Sequence, residues 1–290
     1  MNNEKIIIYL QSLNLSVYKH ASNIITKNKN WKTLSDKQQK ALPIILEKYF
    51  VFLSENEKLK GYSNDIIEKR TILLNDYYDF INTNDYDNTF TSQGKFRPTI
   101  LEEFMYILFK DLIYEIKNKI NDGKNDLNLG STKAYTNLFF SGTNFENFVK
   151  SPQIGIHQKD QDFAIYKPIE LFSGNNKSVK TNLPIISIEN KTYIDKTMLD
   201  GSISTAEKIK SGNPYSLYIV IAERYAVGLD VDPVYSKIDQ IYILRKDNKK
   251  ETSNPIYSDV LIDLINYVKS HLERNWSDVE NKLKNSGKII

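Results

Sequence analysis

Three side chains pose the first chemical question: Asp162 in "DQDFAIYK", and Glu189 and Lys191 in "PIISIENKTYI". In an extended strand alternate residues share a face. Glu189 and Lys191 therefore stand side by side with Ser187 and Tyr193, while Ile186, Ile188 and Ile194 point the other way, into a core. The pattern Glu-x-Lys recurs at Glu115/Lys117 and Glu280/Lys282, but in charge-rich runs of helical spacing, where a solvated face explains it. The middle copy lies in an apolar strand, where a merely decorative surface pair would contribute less than about 1 kcal/mol. If the strand bearing Asp162 pairs with the strand bearing Glu189 as a hairpin, two carboxylates and an ammonium converge near the strand ends. That set suits metal-dependent phosphodiester hydrolysis. Carboxylates are hard oxygen ligands for Mg²⁺, and an ammonium can hold or help deprotonate the attacking water and offset charge on the phosphate. Asp160 shares the parity of Asp162 and is the alternative ligand; Asp162 is preferred because it directly precedes the apolar alternation.

The elements that must position these residues come in two kinds. From Glu4 to about Asn84 apolar residues recur at helical spacing, with Ser35 and Ser63 placed to cap helices. A further helix is expected from Pro98 through "PTILEEFMYILFKDLIYEIKNKI", ending at "NDGKNDLNLGS". The period then changes from about 3.6 to about 2. "IGIHQKDQDFAIYK", "LPIISIENKTYI", "YSLYIVIAE" and "IDQIYIL" read as strands, and "KPIELFSGNNKSVKTN" as a long loop between the first two. A helix over Asp195 to Lys210 separates the second and third strands and implies a parallel crossover. A last helix is expected over Ser258 to Leu283. The expected fold is α+β, a mixed β-sheet flanked by helices with a helical N-terminal region. The expected division is residues 1–90, with a DNA-wrapping or dimerisation role, and residues 91–290, carrying the chemistry.

Composition narrows the classes. A chain of 290 residues with 40% hydrophobic and 26% charged residues can bury a substantial core. It has no cysteine, which excludes thiol nucleophiles and Cys-ligated zinc and suits a cytoplasmic location. No apolar run reaches the length of a membrane span, and the N-terminus lacks the pattern of a secretory leader. The net charge of +3 makes any nucleic-acid surface a local one. Only five basic residues are Arg. Of these Arg97, Arg224 and Arg245 are candidates for contacts with DNA, since Arg to guanine is the commonest base-specific pairing.

"DFAIYK" followed by "PIISIENK", the helical "TMLDGSISTAEKIKSG" and the strand "YSLYIVIAE" together resemble the core of the PD-(D/E)xK nuclease superfamily, over about Leu101 to Glu223. The resemblance implies that Asp162 and Glu189 bind Mg²⁺ and that Lys191 assists the water. It also implies a further Glu from the helix before the sheet, assigned to Glu103 with Glu102 as the neighbouring alternative. Gln161 stands where the pattern has Pro. "EEF", "DQDFAIYK" and "ENKTYIDKTMLDG" are similar to type II restriction endonucleases of the BbvCI-like group. That narrower resemblance implies double-stranded DNA as substrate and 5′-phosphate products. It further implies a homodimer or a heterodimer with a second nuclease subunit, and a cognate DNA methyltransferase as genetic neighbour. The alternatives are another DNA nuclease of the superfamily, for repair or structure-specific cleavage, and a non-catalytic DNA-binding protein on the same sheet.

Overall fold

Helices form the first layer: α1 (Asn3–Ser12), α2 (Lys19–Lys29), α3 (Asp36–Lys58), α4 (Asn64–Thr83) and the single turn α5 (Tyr86–Thr89) precede the long α6 (Phe96–Lys119). The computed structural model describes residues 2–90, 96–120, 127–172, 178–248, 254–274 and 276–287. Ser35 caps α3 as its sequence predicts, in a reciprocal capping box with Gln38. Helix α6 has twelve buried residues and almost no polar face, because one side meets α2 and α4 and the other meets the sheet. Asp87 accepts from the backbone N–H groups of Phe96 and Arg97 and so caps α6 from the preceding turn.

The sheet contains β1 (Asn128–Ser141), β2 (Gln153–Phe172), β3 (Ser178–Lys191), β4 (Leu217–Ala222) and β5 (Gln240–Ile243) in that spatial order. The first three strands pair antiparallel, and β3–β4 and β4–β5 pair parallel. This is the expected mixed sheet. A bridge from Ala134 to Asn182 also joins β1 to β3, so the antiparallel part curls on itself. A short α7 (Phe145–Lys150) links β1 to β2, and α8 (Lys196–Gly212), capped by Asp195, makes the β3–β4 crossover.

Several sequence expectations need correction. Strand β1 falls outside the four strands the sequence predicts; its third residue, Gly130, has a φ of +131° that breaks the local alternation. Most of the expected loop "KPIELFSGNNKSVKTN" is strand, pairing from Tyr166/Pro184 out to Phe172/Ser178, and residues 173–177 lie outside the described residues. The last helix is two: α9 (Ser258–Glu273) and α10 (Val279–Ser286). They are separated where Trp276 donates to the carbonyl of His271 and Asp278 caps the new helix. Ile194 does not share a core with Ile186 and Ile188, because β3 ends at Lys191 and the chain beyond it crosses to the opposite side of the sheet.

Both faces of the sheet are covered. One hydrophobic cluster runs from Ile6 in α1 through α6, β2 and β3 to Val268 in α9, with Phe109 of α6 stacked on Phe163 of β2. A smaller cluster lies on the other face, where Leu199, Ala206 and Ile209 of α8 meet Tyr218, Val220 and Ala222 of β4. Helix α8 also packs on β1, and its last residue sets how close it comes: a Cβ on Gly212 would fall on the backbone carbonyl of Thr136. Gly201, in the same helix, has open space around it. Gly212→Ala is therefore expected to destabilise by about 1–3 kcal/mol through overpacking against backbone. Gly201→Ala is expected to stabilise by up to about 1 kcal/mol through helix propensity. Urea denaturation of the two variants checks the opposite signs.

Candidate active site

Strand β2 reaches the site through an irregularity. Its pairing with β1 slips by one residue between Gly130/Ala164 and Thr132/Gln161, an interval that holds Asp162. Bulges of this kind re-aim a side chain. Asp162 turns to β3 and accepts from the backbone N–H of Asn190 at 2.8 Å. That bond fixes the carboxylate between Glu189 and Lys191 in sequence. Asp160, two residues earlier, is exposed and pairs across the ladder with Lys133.

On β3, Glu189 and Lys191 are partly buried neighbours, with Nζ 2.7 Å from Oε1. The other carboxylate oxygen, Oε2, accepts from the hydroxyl of Tyr218 on β4. A cleft of about 240 Å³ opens here, lined by Asp160, Asp162, Glu189, Gly201, Thr205 and Tyr218. A second hollow of about 290 Å³ continues past Asp162 to Lys19, Glu102 and Lys133.

Burial and neighbouring charge divide the carboxylates. Burial holds Asp162 above its ordinary value, and the nearby Glu189 adds to that, against the Asn190 N–H and the charge of Lys191. Glu189 is buried as well, yet Lys191 and Tyr218 outweigh that and keep it below the usual carboxylate range. Burial alone would lower Lys191; Glu189, and behind it Asp162 and Glu102, raise it instead, so it is an ammonium at neutral pH. Glu102 is pushed up to about 7, by burial first and by the charge of Asp162 second. The structure therefore brings Asp162, Glu189, Lys191 and Glu102 together.

Glu103 is not among them. It is fully buried on the helical side of α6, where it accepts from the N–H groups of His20 and Ala21 at 2.9 and 3.0 Å and from the Tyr49 hydroxyl at 2.7 Å. Adjacent residues on a helix point about 100° apart, so only one of the two glutamates can face the sheet. Because α6 is apolar on nearly every side, periodicity could not say which. Two of the arginines assigned to DNA are also engaged elsewhere. Arg97 and Arg245 both bind the buried carboxylate of Glu223. Arg224 is half-buried and lines a separate hollow with Thr192 and Tyr193, just past Lys191. In sequence Tyr218 carries no signal of its own, since a tyrosine alternating with Val220 and Ala222 reads as core.

Among the described residues no three His, Asp or Glu side chains form a closed metal cage. The donor set is an open pair of carboxylates with Glu102 beside it. Such a set fits Mg²⁺, which keeps several waters and binds through one or two carboxylates.

Compared with known proteins, residues 93–253 match the family model described as Bpu10I restriction endonuclease. The fold is similar to a chain of a solved structure, the native BbvCI A2B2 tetramer at low resolution. The TM-score is 0.64 and the identity 18%, over 91% of this chain and 99% of that one. No curated protein matches the sequence.

Substitution separates the two glutamates of α6. Glu103→Gln places an amide donor among three donors and is expected to lose about 1–3 kcal/mol of stability while leaving the cleft intact. Glu102→Gln leaves the fold near wild type and changes the cleft. The pH dependence has a definite sign, because both groups are raised to about 7 in the folded protein. Each contributes stability present below the unfolded carboxylate value and lost as pH rises through about 7. His20 and His271, held down by burial at about 3 and about 4, act in the opposite direction, mainly below their ordinary value of 6.5. Between about pH 6.5 and about pH 8 the glutamates dominate, so wild-type stability should fall across that window and the double variant Glu102→Gln/Glu103→Gln should flatten it. Denaturation midpoints at the two pH values measure this.

Proposed function

The chain belongs to the Bpu10I restriction endonuclease family, and on that premise we propose that it is a type II enzyme hydrolysing phosphodiester bonds of double-stranded DNA at a specific sequence. The observation that carries this reading is the convergence of Asp162, at the bulge midway along β2, with Glu189 and Lys191 at the end of β3. Asp162 and Glu189 are the proposed ligands of Mg²⁺, and Glu102 replaces Glu103 as the third carboxylate of the cleft. When bound, Mg²⁺ supplies positive charge to the phosphate and lowers the pKa of water. The protein's own groups do the positioning. The Asn190 N–H holds Asp162 in one orientation. Lys191, kept protonated by Glu189, offers a donor to the attacking water and a charge to the phosphate rather than a free base. Lys19, Lys133 and Lys159 border the two hollows and are the proposed phosphate contacts.

Sequence reading is left to other groups than Arg97 and Arg245, whose guanidiniums are engaged by Glu223. Cutting both strands to 5′-phosphate ends needs two centres, so the working unit is proposed to contain a second copy of this chain or a second nuclease subunit. The similar BbvCI structure is described as an A2B2 assembly. The helical N-terminal region is a proposed site for that contact or for wrapping the duplex, and a cognate DNA methyltransferase is the proposed host protection.

Asp162→Asn keeps the shape of the side chain and removes a negative charge and a strong Mg²⁺ ligand. It should bind duplex DNA without metal at least as tightly as wild type and fail to cut with Mg²⁺, while Asp160→Asn cuts nearly normally. Mobility shifts with and without Ca²⁺, plasmid cleavage and a melting curve make the comparison. Wild-type cutting by a folded Asp162→Asn protein would remove Asp162 from the chemistry. DNA affinity should also fall with salt at a log–log slope of about −0.9 per phosphate neutralised, and a flat response argues against DNA as substrate.

A further inference from the structure

Glu189 is held from two sides. Lys191 lies 2.7 Å from Oε1, and the Tyr218 hydroxyl donates to Oε2. The second contact follows from sheet register. Across the parallel β3–β4 ladder Ser187 pairs with Tyr218 and Glu189 pairs with Val220, so Tyr218 and Glu189 are diagonal neighbours on one face. A long aromatic side chain spans such a diagonal. Ala222 lies opposite Lys191 and carries no polar group that could compete for the carboxylate.

The phenol is fully buried in the apolar cluster beneath α8, among Leu199, Ala206 and Val220. A hydroxyl in such a place is costly unless it is bonded, and Phe would fill the same volume without that cost. The Ser202 hydroxyl of α8 stands beside Glu189, and that of Thr205 beside the Tyr218 hydroxyl. Both serine and threonine also donate within the helix, to Met198 and Gly201. The Tyr218 proton is thus the one directed at Oε2.

We propose that Tyr218 is a positioning residue for Glu189: its hydroxyl fixes Oε2 and leaves Oε1, the oxygen facing Lys191, as the one a divalent cation takes. This rests on the reading of Glu189 as a metal ligand. A carboxylate free to rotate could offer either oxygen, or both, and would lose its fixed relation to Lys191. The Tyr218 bond removes that freedom before any cation arrives, as outer hydrogen bonds do for metal ligands generally.

The test uses the full chain and Mn²⁺ binding by calorimetry, alongside the Mg²⁺ dependence of plasmid cleavage. Tyr218→Phe is expected to weaken Mn²⁺ binding by roughly tenfold or more. It should raise the Mg²⁺ concentration needed for half-maximal cutting and leave the rate at saturating Mg²⁺ close to wild type. That split, weaker binding with an unchanged saturated rate, is not what a merely structural role produces. Unchanged Mn²⁺ affinity in folded Tyr218→Phe, or a saturated rate that falls in proportion to the affinity, overturns the proposal. If Tyr218→Phe does not fold, 3-fluorotyrosine at position 218 keeps the ring and alters only the strength of the donor. Mn²⁺ affinity must then change, and constancy overturns the proposal. The outcomes are distinguishable from failure of the underlying reading. If wild-type protein shows no Mn²⁺ site that Glu189→Gln removes, Glu189 is not a ligand and both ideas fall; if it shows one that Tyr218→Phe leaves alone, only the role of Tyr218 falls.

Discussion

A carboxylate with no access to water, that of Glu223, fixes how the parts of this protein meet. It follows β4, and two guanidiniums reach it from different directions: Arg97 from the start of α6 and Arg245 from the turn after β5. Both guanidiniums also lie over the ring of Tyr78 in α4. Burial alone would favour a neutral Glu223, but its bonds to the two guanidiniums and their charges hold it below the usual carboxylate range. Removing either partner would leave buried charge uncompensated, the costly way to break such a group. The backbone continues the connection. Glu223 N–H donates to the carbonyl of Lys191, and Arg245 N–H donates to that of Glu223. The helical layer, the parallel strands and the residue bearing the ammonium are therefore held in register by one ionic knot.

From that knot outward the site has a simple electrical logic. Parallel strands β3 and β4 end side by side, and the last residues of β3 carry the charges. Lys191 lowers Glu189 and is raised by it in return, while Asp162 is left on the high side by burial and by Glu189, and Glu102 by burial and by Asp162. Four ionisable groups thus share fewer charges than they would in water. A site of this kind gains from an added cation, because each carboxylate held back by its neighbours becomes easier to ionise. The bulge in β2 is what allows Asp162 to join.

Much of this was legible in the sequence, and the exceptions share a cause. The change of period after α6, the crossover helix and the Glu189/Lys191 face could be read because each has a polar side and an apolar side. Where both sides are covered the signal disappears. Helix α6 is apolar nearly all round, so Glu102 and Glu103 were equivalent in sequence though one faces the cleft and the other accepts from His20, Ala21 and Tyr49. Strand β4 is buried at all six positions, so Tyr218 looked like packing. Strand β1 mixes Gly130, a slipped register and an exposed aromatic end, and matches no single period.

The use of arginine completes the physical picture. Five Arg residues stand among 39 basic ones, and three of the five have internal work. Besides Arg97 and Arg245, Arg70 is fully buried and donates to the carbonyls of Leu59 and Ile107 and to Asp111. Guanidinium suits that work because it is planar, weakly hydrated and always charged, so it can satisfy several acceptors without neutralising. Lysine is a strongly hydrated point charge, better left near water, and it is lysine that borders the carboxylate cleft at positions 19, 133 and 159. The scarcity of arginine therefore says little about affinity for a polyanion. It says that the planar donors went where geometry was demanding, inside the fold, and that the cleft is edged by charges that fix no orientation of their own.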